Sequence, residues 1–98
     1  MSNTEEQLET KTKTIFPSKF KVILHNDDYT TMEFVILVLT SIFLHDEMKA
    51  EKIMMEIHQN GSGIAGMYSQ EIAESKKIQV DKLASEHEFP LKCTLSKV

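Results

Sequence analysis

Asn26, Asp27 and Asp28 stand together in the run His25-Asn26-Asp27-Asp28-Tyr29-Thr30-Thr31-Met32. All three side chains accept hydrogen bonds, and two of them are anionic. A corner of this kind holds a small cation. Met32 and Val35 follow within one helical turn, so an apolar wall begins beside the polar corner. The pair of features suits a ligand that is charged at one end and apolar at the other. A further acceptor comes from His58. Met54 and His58 share a helical face at i, i+4, with Ile57 next to Met54 at i, i+3. One ridge therefore presents two apolar groups and an imidazole. A neutral imidazole accepts one hydrogen bond, Asn26 Oδ1 accepts another, and a carboxylate supplies charge. Together they match an ammonium group with its three donors.

Other chemistries fit less well. His25, Asp27, Asp28 and His58 are zinc-type ligands, but no His-x-x-x-His or Cys-x-x-Cys spacing supports a site. His45-Asp46 resembles the dipeptide of metal phosphohydrolases, which need further histidines and a larger helical domain. Cys93 falls on the inward side of a predicted strand and reads as a small core hydrophobe, not a nucleophile. Gly61-Ser62-Gly63 lacks the lysine of a phosphate loop. No catalytic residue, metal or cofactor is expected.

The elements around these residues follow from periodicity. Phe20, Val22 and Leu24 alternate with Lys21, Ile23 and His25, the pattern of a half-buried strand. Thr30 and Glu33 have capping-box spacing and predict a helix over about 31–44. That segment is apolar nearly all round, which predicts the central helix. Asp46 caps a second helix that runs to about Asn60, with Gly61 as its left-handed stop. Gly63 to Tyr68 form a short strand, with Gly66 marking a bulge or a close approach. Ser69 caps a third helix whose buried side is Ile72, Ala73, Val80, Leu83 and Ala84. Glu88-Phe89-Pro90 ends it. Leu91, Cys93 and Leu95 mark the last strand. The order β-α-α-β-α-β predicts an α+β fold, a two-layer sandwich of a three-stranded antiparallel sheet and three helices.

The 98-residue chain, 41% hydrophobic, allows one small domain. Residues 1–18 mix Glu5, Glu6 and Glu9 with Lys11, Lys13 and many threonines, and show no apolar period. They predict a flexible N-terminal extension, with the folded domain at 19–98. A net charge of −4 argues against nucleic acid. The longest apolar run, Met32 to Leu44, is shorter than the roughly 20 residues of a membrane span. One cysteine excludes an internal disulfide and fits a reducing compartment, the cytoplasm.

From Phe20 to Val98 the chain resembles the ClpS family of adaptors. The matching pieces are Lys21-Val22-Ile23-Leu24 leading into Asn26-Asp27-Asp28-Tyr29-Thr30, then Met32-Glu33-Phe34-Val35 and Ile57-His58-Gln59. Gly66-Met67-Tyr68, Glu71-Ile72-Ala73-Glu74-Ser75-Lys76 and Glu88-Phe89-Pro90-Leu91 complete them in order. The resemblance implies a non-enzymatic adaptor for N-degron proteins, those whose first residue is Leu, Phe, Tyr or Trp. It would deliver them as a monomer to the N-terminal domain of a Clp AAA+ unfoldase, ClpA or ClpC, for degradation by ClpP. By that resemblance Asn26, an aspartate of the Asp27-Asp28 pair and His58 hold the substrate α-amino group. Thr30, Met32, Val35, Met54, Ile57 and Leu91 line the side-chain pocket, with Met32 as a gate against β-branched first residues. Glu71 and Lys76 face the unfoldase, and the extension engages it during hand-over. Two residues depart from the family pattern. Thr31 stands where proline is usual, leaving Thr30 as the expected cap, and His25 stands where an aliphatic residue is usual. A rival class shares the fold: an interaction module like the C-terminal domain of ribosomal stalk proteins. It would leave the Asn26–Asp28 corner without a task.

Overall fold

The computed structural model describes residues 18–98; the expected extension, except for Ser18, lies outside them. The elements are β1 (Lys19–His25), α1 (Met32–Ser41), α2 (Glu47–Asn60), β2 (Ser62–Ser69), α3 (Gln70–Glu86) and β3 (Lys92–Lys97). Their order and the three-stranded antiparallel sheet are those expected from the sequence; in space the strands run β2-β1-β3. The strand alternation holds. Val22 and Leu24 are fully buried beneath the helices, while Lys21, Ile23 and His25 occupy the open face. Cys93 is buried on the inward side of β3 opposite Leu24. β2 carries a bulge. Val22 pairs with Gly66 and Ile23 with Ile64, which leaves Ala65 unpaired. Among the described residues, no helix is long and apolar enough to cross a membrane.

Several local expectations are corrected. α1 starts one residue later than the capping box implied and stops at Ser41 instead of about Leu44. Its N-cap is Thr31, whose Oγ1 accepts from Phe34 N at 3.1 Å. Its early end is visible in the backbone. Ile42 N and Phe43 N both donate to Val38 O, His45 N donates to Leu39 O, and Leu44 adopts φ 59°, the left-handed conformation that closes a helix C-terminus.

Nor is α1 the central helix. It buries Phe34, Val35, Val38 and Leu39 and packs on α2, while Met32, Leu37 and Leu44 remain exposed. α3 is the helix that packs against all three strands. On α3, Ala73, Val80 and Ala84 are buried, but Ile72 is exposed. Ser69 occupies the N-cap position without a side-chain capping bond. Asp46 and Gly61 behave as expected. Asp46 Oδ1 accepts from Lys49 N at 2.8 Å, and Gly61 adopts φ 89° at the end of α2.

Candidate functional site

The polar corner is built around Asp27. Its Oδ1 accepts from Tyr29 N at 2.8 Å and from Thr30 N at 2.7 Å. Its Oδ2 accepts from the Thr30 hydroxyl at 2.7 Å. This is an aspartate-organised turn, in which the carboxylate stands in for a backbone carbonyl. Partial burial opposes ionisation of Asp27. The donors from Thr30 N–H, the Thr30 hydroxyl and Tyr29 N–H outweigh it and hold the carboxyl below the usual carboxylate range. Thr30 is therefore spent on Asp27, which is why the helix cap passes to Thr31.

The corner is tied to the end of α2. Asn26 N donates to Gly61 O at 2.9 Å, and Gly61 N donates to Ile57 O at 2.9 Å. His25 pairs with Ser62, immediately beyond. The backbone so fixes Asn26 next to the last turn of α2, which carries His58. That turn also carries the unfilled carbonyls of a helix C-terminus, which favour positive charge. Asn26, Asp28 and His58 are exposed, and their side chains take no hydrogen-bond partner among the described residues.

Between corner and helices lies a cavity of about 270 Å³. Asn26, Asp27, Asp28, Thr30 and His58 line its polar part, and Met32, Val35, Met54 and Ile57 its apolar part. An apolar cavity of roughly 150 Å³ already takes benzene, so an aromatic or leucyl side chain fits here. Two carboxylates and no lysine line it, so it favours a cation over an anion. Met32 remains 42% exposed, placing a flexible thioether at the mouth.

The structure brings together all but one of the residues expected to hold a ligand. Leu91 is the exception: it is buried in the core and is not among the cavity lining. Glu71 is exposed in the first turn of α3. Lys76 is half-buried; its Nζ donates to Ile42 O at 2.7 Å and stands 5.8 Å from the Tyr68 ring centroid. Its ammonium thus satisfies a carbonyl at the end of α1. At about 100° per residue, positions 71 and 76 lie roughly 140° apart around α3. Sequence reasoning missed Gly63. A Cβ there would stand 2.8 Å from Ile57 Cγ1, so this glycine lets β2 pass close under the cavity floor. The spacing Gly61-x-Gly63 was the available signal. Among the described residues, no group of three or more His, Cys, Asp or Glu is placed to hold a metal ion. His25 Nε2 instead meets Thr94 Oγ1 at 2.7 Å on the open sheet face.

Comparison with known proteins adds an independent line. Residues 16–94 match the family described as "ATP-dependent Clp protease adaptor protein ClpS". The chain belongs to the ClpS family. It is 48% identical over 94 residues to the ClpS adapter of Clostridium acetobutylicum, covering 96% of this chain and 93% of that one. It is 48% identical over 81 residues to the ClpS adapter of Desulfotalea psychrophila, covering 83% and 79%. Among solved structures, Agrobacterium tumefaciens ClpS2 bound to L-phenylalaninamide superposes with a TM-score of 0.81 at 37% identity. That match covers 85% of this chain and all of the other. The chain is thus a ClpS adaptor of the Clp protease system, a part of regulated protein degradation.

Proposed function

We propose that this ClpS protein captures chains by a free α-amino group and a bulky apolar first residue, and delivers them to a Clp AAA+ unfoldase. The supporting observation is the single cavity that is anionic and acceptor-rich at one end and apolar at the other. Asn26, Asp28 and His58 take the ammonium, since their acceptors are uncommitted. Asp27 contributes chiefly by shaping the turn, because three donors already occupy it. Met32, Val35, Met54 and Ile57 receive the Leu, Phe, Tyr or Trp side chain, with Thr30 at the border. The ligand of the A. tumefaciens relative, L-phenylalaninamide, has this chemistry: a free amine beside an aromatic side chain.

Magnitudes agree with a reversible carrier. Burying such a side chain gains roughly 1.5–3 kcal/mol. Each hydrogen bond to the charged amine adds about 1.5–3 kcal/mol. Ordering and desolvation remove several kcal/mol. The remainder lies near the roughly 8 kcal/mol of a micromolar complex, tight enough to select and weak enough to release. Both halves of the ligand are then required. Glu71, at the exposed start of α3, is assigned to contact with the unfoldase N-terminal domain, be it ClpA or ClpC, and residues 1–18 to hand-over. Lys76 supports that surface from beneath, through its bond to Ile42 O. The reading sets the protein in the cytoplasm, where a reduced cysteine such as Cys93 persists.

Fluorescence anisotropy with peptides differing only in the first residue tests the reading. Leu, Phe, Tyr and Trp should bind near micromolar, and Gly or Glu at least about tenfold more weakly, a gap of roughly 1.4 kcal/mol. Equal affinity across the set would refute the proposed pocket.

A further inference from the structure

A second cavity, of about 280 Å³, lies between α2 and β2 and takes no part in the reading above. Its wall on α2 includes Lys49 and Lys52, and its wall on β2 includes Ile64 and Met67, which are 41% and 53% exposed. At about 100° per residue these lysines lie on the opposite flank of α2 from Met54 and His58. β2 is an outer strand of the sheet, so one of its edges lacks a strand partner among the described residues. The bulge at Ala65 falls within this stretch, and His45 Nε2 meets Ala65 O at 2.6 Å. Because a carbonyl only accepts, that imidazole nitrogen donates, and the bond pins the bulge to the start of α2. Lys21, the register partner of Met67, lies on the open sheet face and outside this lining. Neither Lys49 nor Lys52 forms an ion pair among the described residues; Glu56 is the one carboxylate in the lining. On a chain of net charge −4, this is a locally basic groove with an apolar floor and a free strand edge.

We propose that the groove holds the chain's own acidic segment Glu5-Glu6-Gln7-Leu8-Glu9, laid along the free edge of β2. The segment's chemistry is complementary: three carboxylates for the lysines and Leu8 for the Ile64–Met67 surface. The path is short enough. Lys19, where β1 begins, pairs with Ser69 at the end of β2. From there the chain must cross two strand spacings, about 10 Å, and run back roughly 14 Å along β2 to reach Ala65. The stretch from Glu9 to Lys19 spans up to about 33–36 Å when extended, so Glu9 reaches the groove with chain to spare. The result is an arm parked on the far side of α2 from the first cavity, held mainly by charge.

The test uses the full chain with Gln7→Cys carrying a nitroxide; Cys93 is buried and stays unlabelled. Paramagnetic broadening of amide NMR signals should concentrate at Lys49, Lys52, Ala65 and Gly66. It should disappear in Lys49→Glu/Lys52→Glu and return when Glu5, Glu6 and Glu9 are changed to Lys in that background. Because rescue requires a folded protein, misfolding cannot mimic the expected pattern. Broadening spread thinly over the surface, broadening centred on the Asn26–His58 cavity, or insensitivity to the charge reversal would each overturn the proposal.

Discussion

Asp27 accepts three hydrogen bonds inside its own turn, whereas Asp28 keeps an exposed carboxylate at the cavity. Neighbouring residues of one type therefore carry different burdens, and two substitutions separate them. Asp27→Ala should lower stability by about 2 kcal/mol, since it leaves backbone and hydroxyl donors without their acceptor. Asp28→Asn should leave stability within about 0.5 kcal/mol yet weaken binding of a Leu-first peptide roughly tenfold. Urea unfolding and anisotropy on both variants read the two effects. The depressed titration of Asp27 sets a pH dependence as well. A carboxyl whose pKa is lowered by folding adds stability above its unfolded value, about 3.9, and loses it as the pH falls further. The stability gap between wild type and Asp27→Ala should hold from neutral pH to about 4 and shrink below it; a gap that widens in acid would contradict the turn's assignment. Met32 offers a third residue-level test. Met32→Ala should enlarge the mouth and narrow the preference for Leu-first over Ile-first peptides, measured as a ratio of dissociation constants.

At the scale of elements, the cavity depends on how β1, α1 and α2 are joined. Thr31 starts α1 through its bond to Phe34 N. Thr31→Ala should cost about 1 kcal/mol, the usual value of an N-cap side chain, observed as a lower unfolding midpoint. Gly63 lets β2 pass beneath Ile57. Gly63→Ala should push Ile57 into the cavity and reduce affinity more for Trp-first than for Leu-first peptides; equal loss for both would point to general destabilisation instead. The strands and the limits of α2 were legible in the sequence because they depend on neighbours a few positions apart; the caps of α1 and α3 were not, since Thr30 serves Asp27 and Ser69 makes no capping bond. Alternation gave β1, and Asp46 and Gly61 bounded α2. The length of α1 was not legible, because helix propensity does not place a leucine, Leu44, in the left-handed conformation that turns the chain out of the helix. The exposure of Ile72 was missed for a related reason: periodicity gives a stripe, and the sheet decides how much of it is covered.

The whole molecule joins segments far apart in sequence into one cleft. Asn26–Thr30 and Met54–His58 each announced their chemistry locally, one as an acceptor-rich corner and one as a helical ridge. Their meeting depends on the Asn26 N to Gly61 O bond and the His25–Ser62 pairing, which only the fold supplies. Leu91, expected in the side-chain pocket by resemblance, is buried in the core alongside Val35, Met54 and Ile57. The second groove was not visible in the sequence, because α2 and the outer edge of β2 form it together. What unites the account is a cleft that must engage a charged amine and an apolar side chain at once. The most direct measurement compares one Leu-first peptide with its Nα-acetylated twin by anisotropy against the intact protein. Acetylation removes the positive charge and two donors while leaving the leucine untouched, so binding of the twin should be lost. Equal affinity for the two would contradict the account.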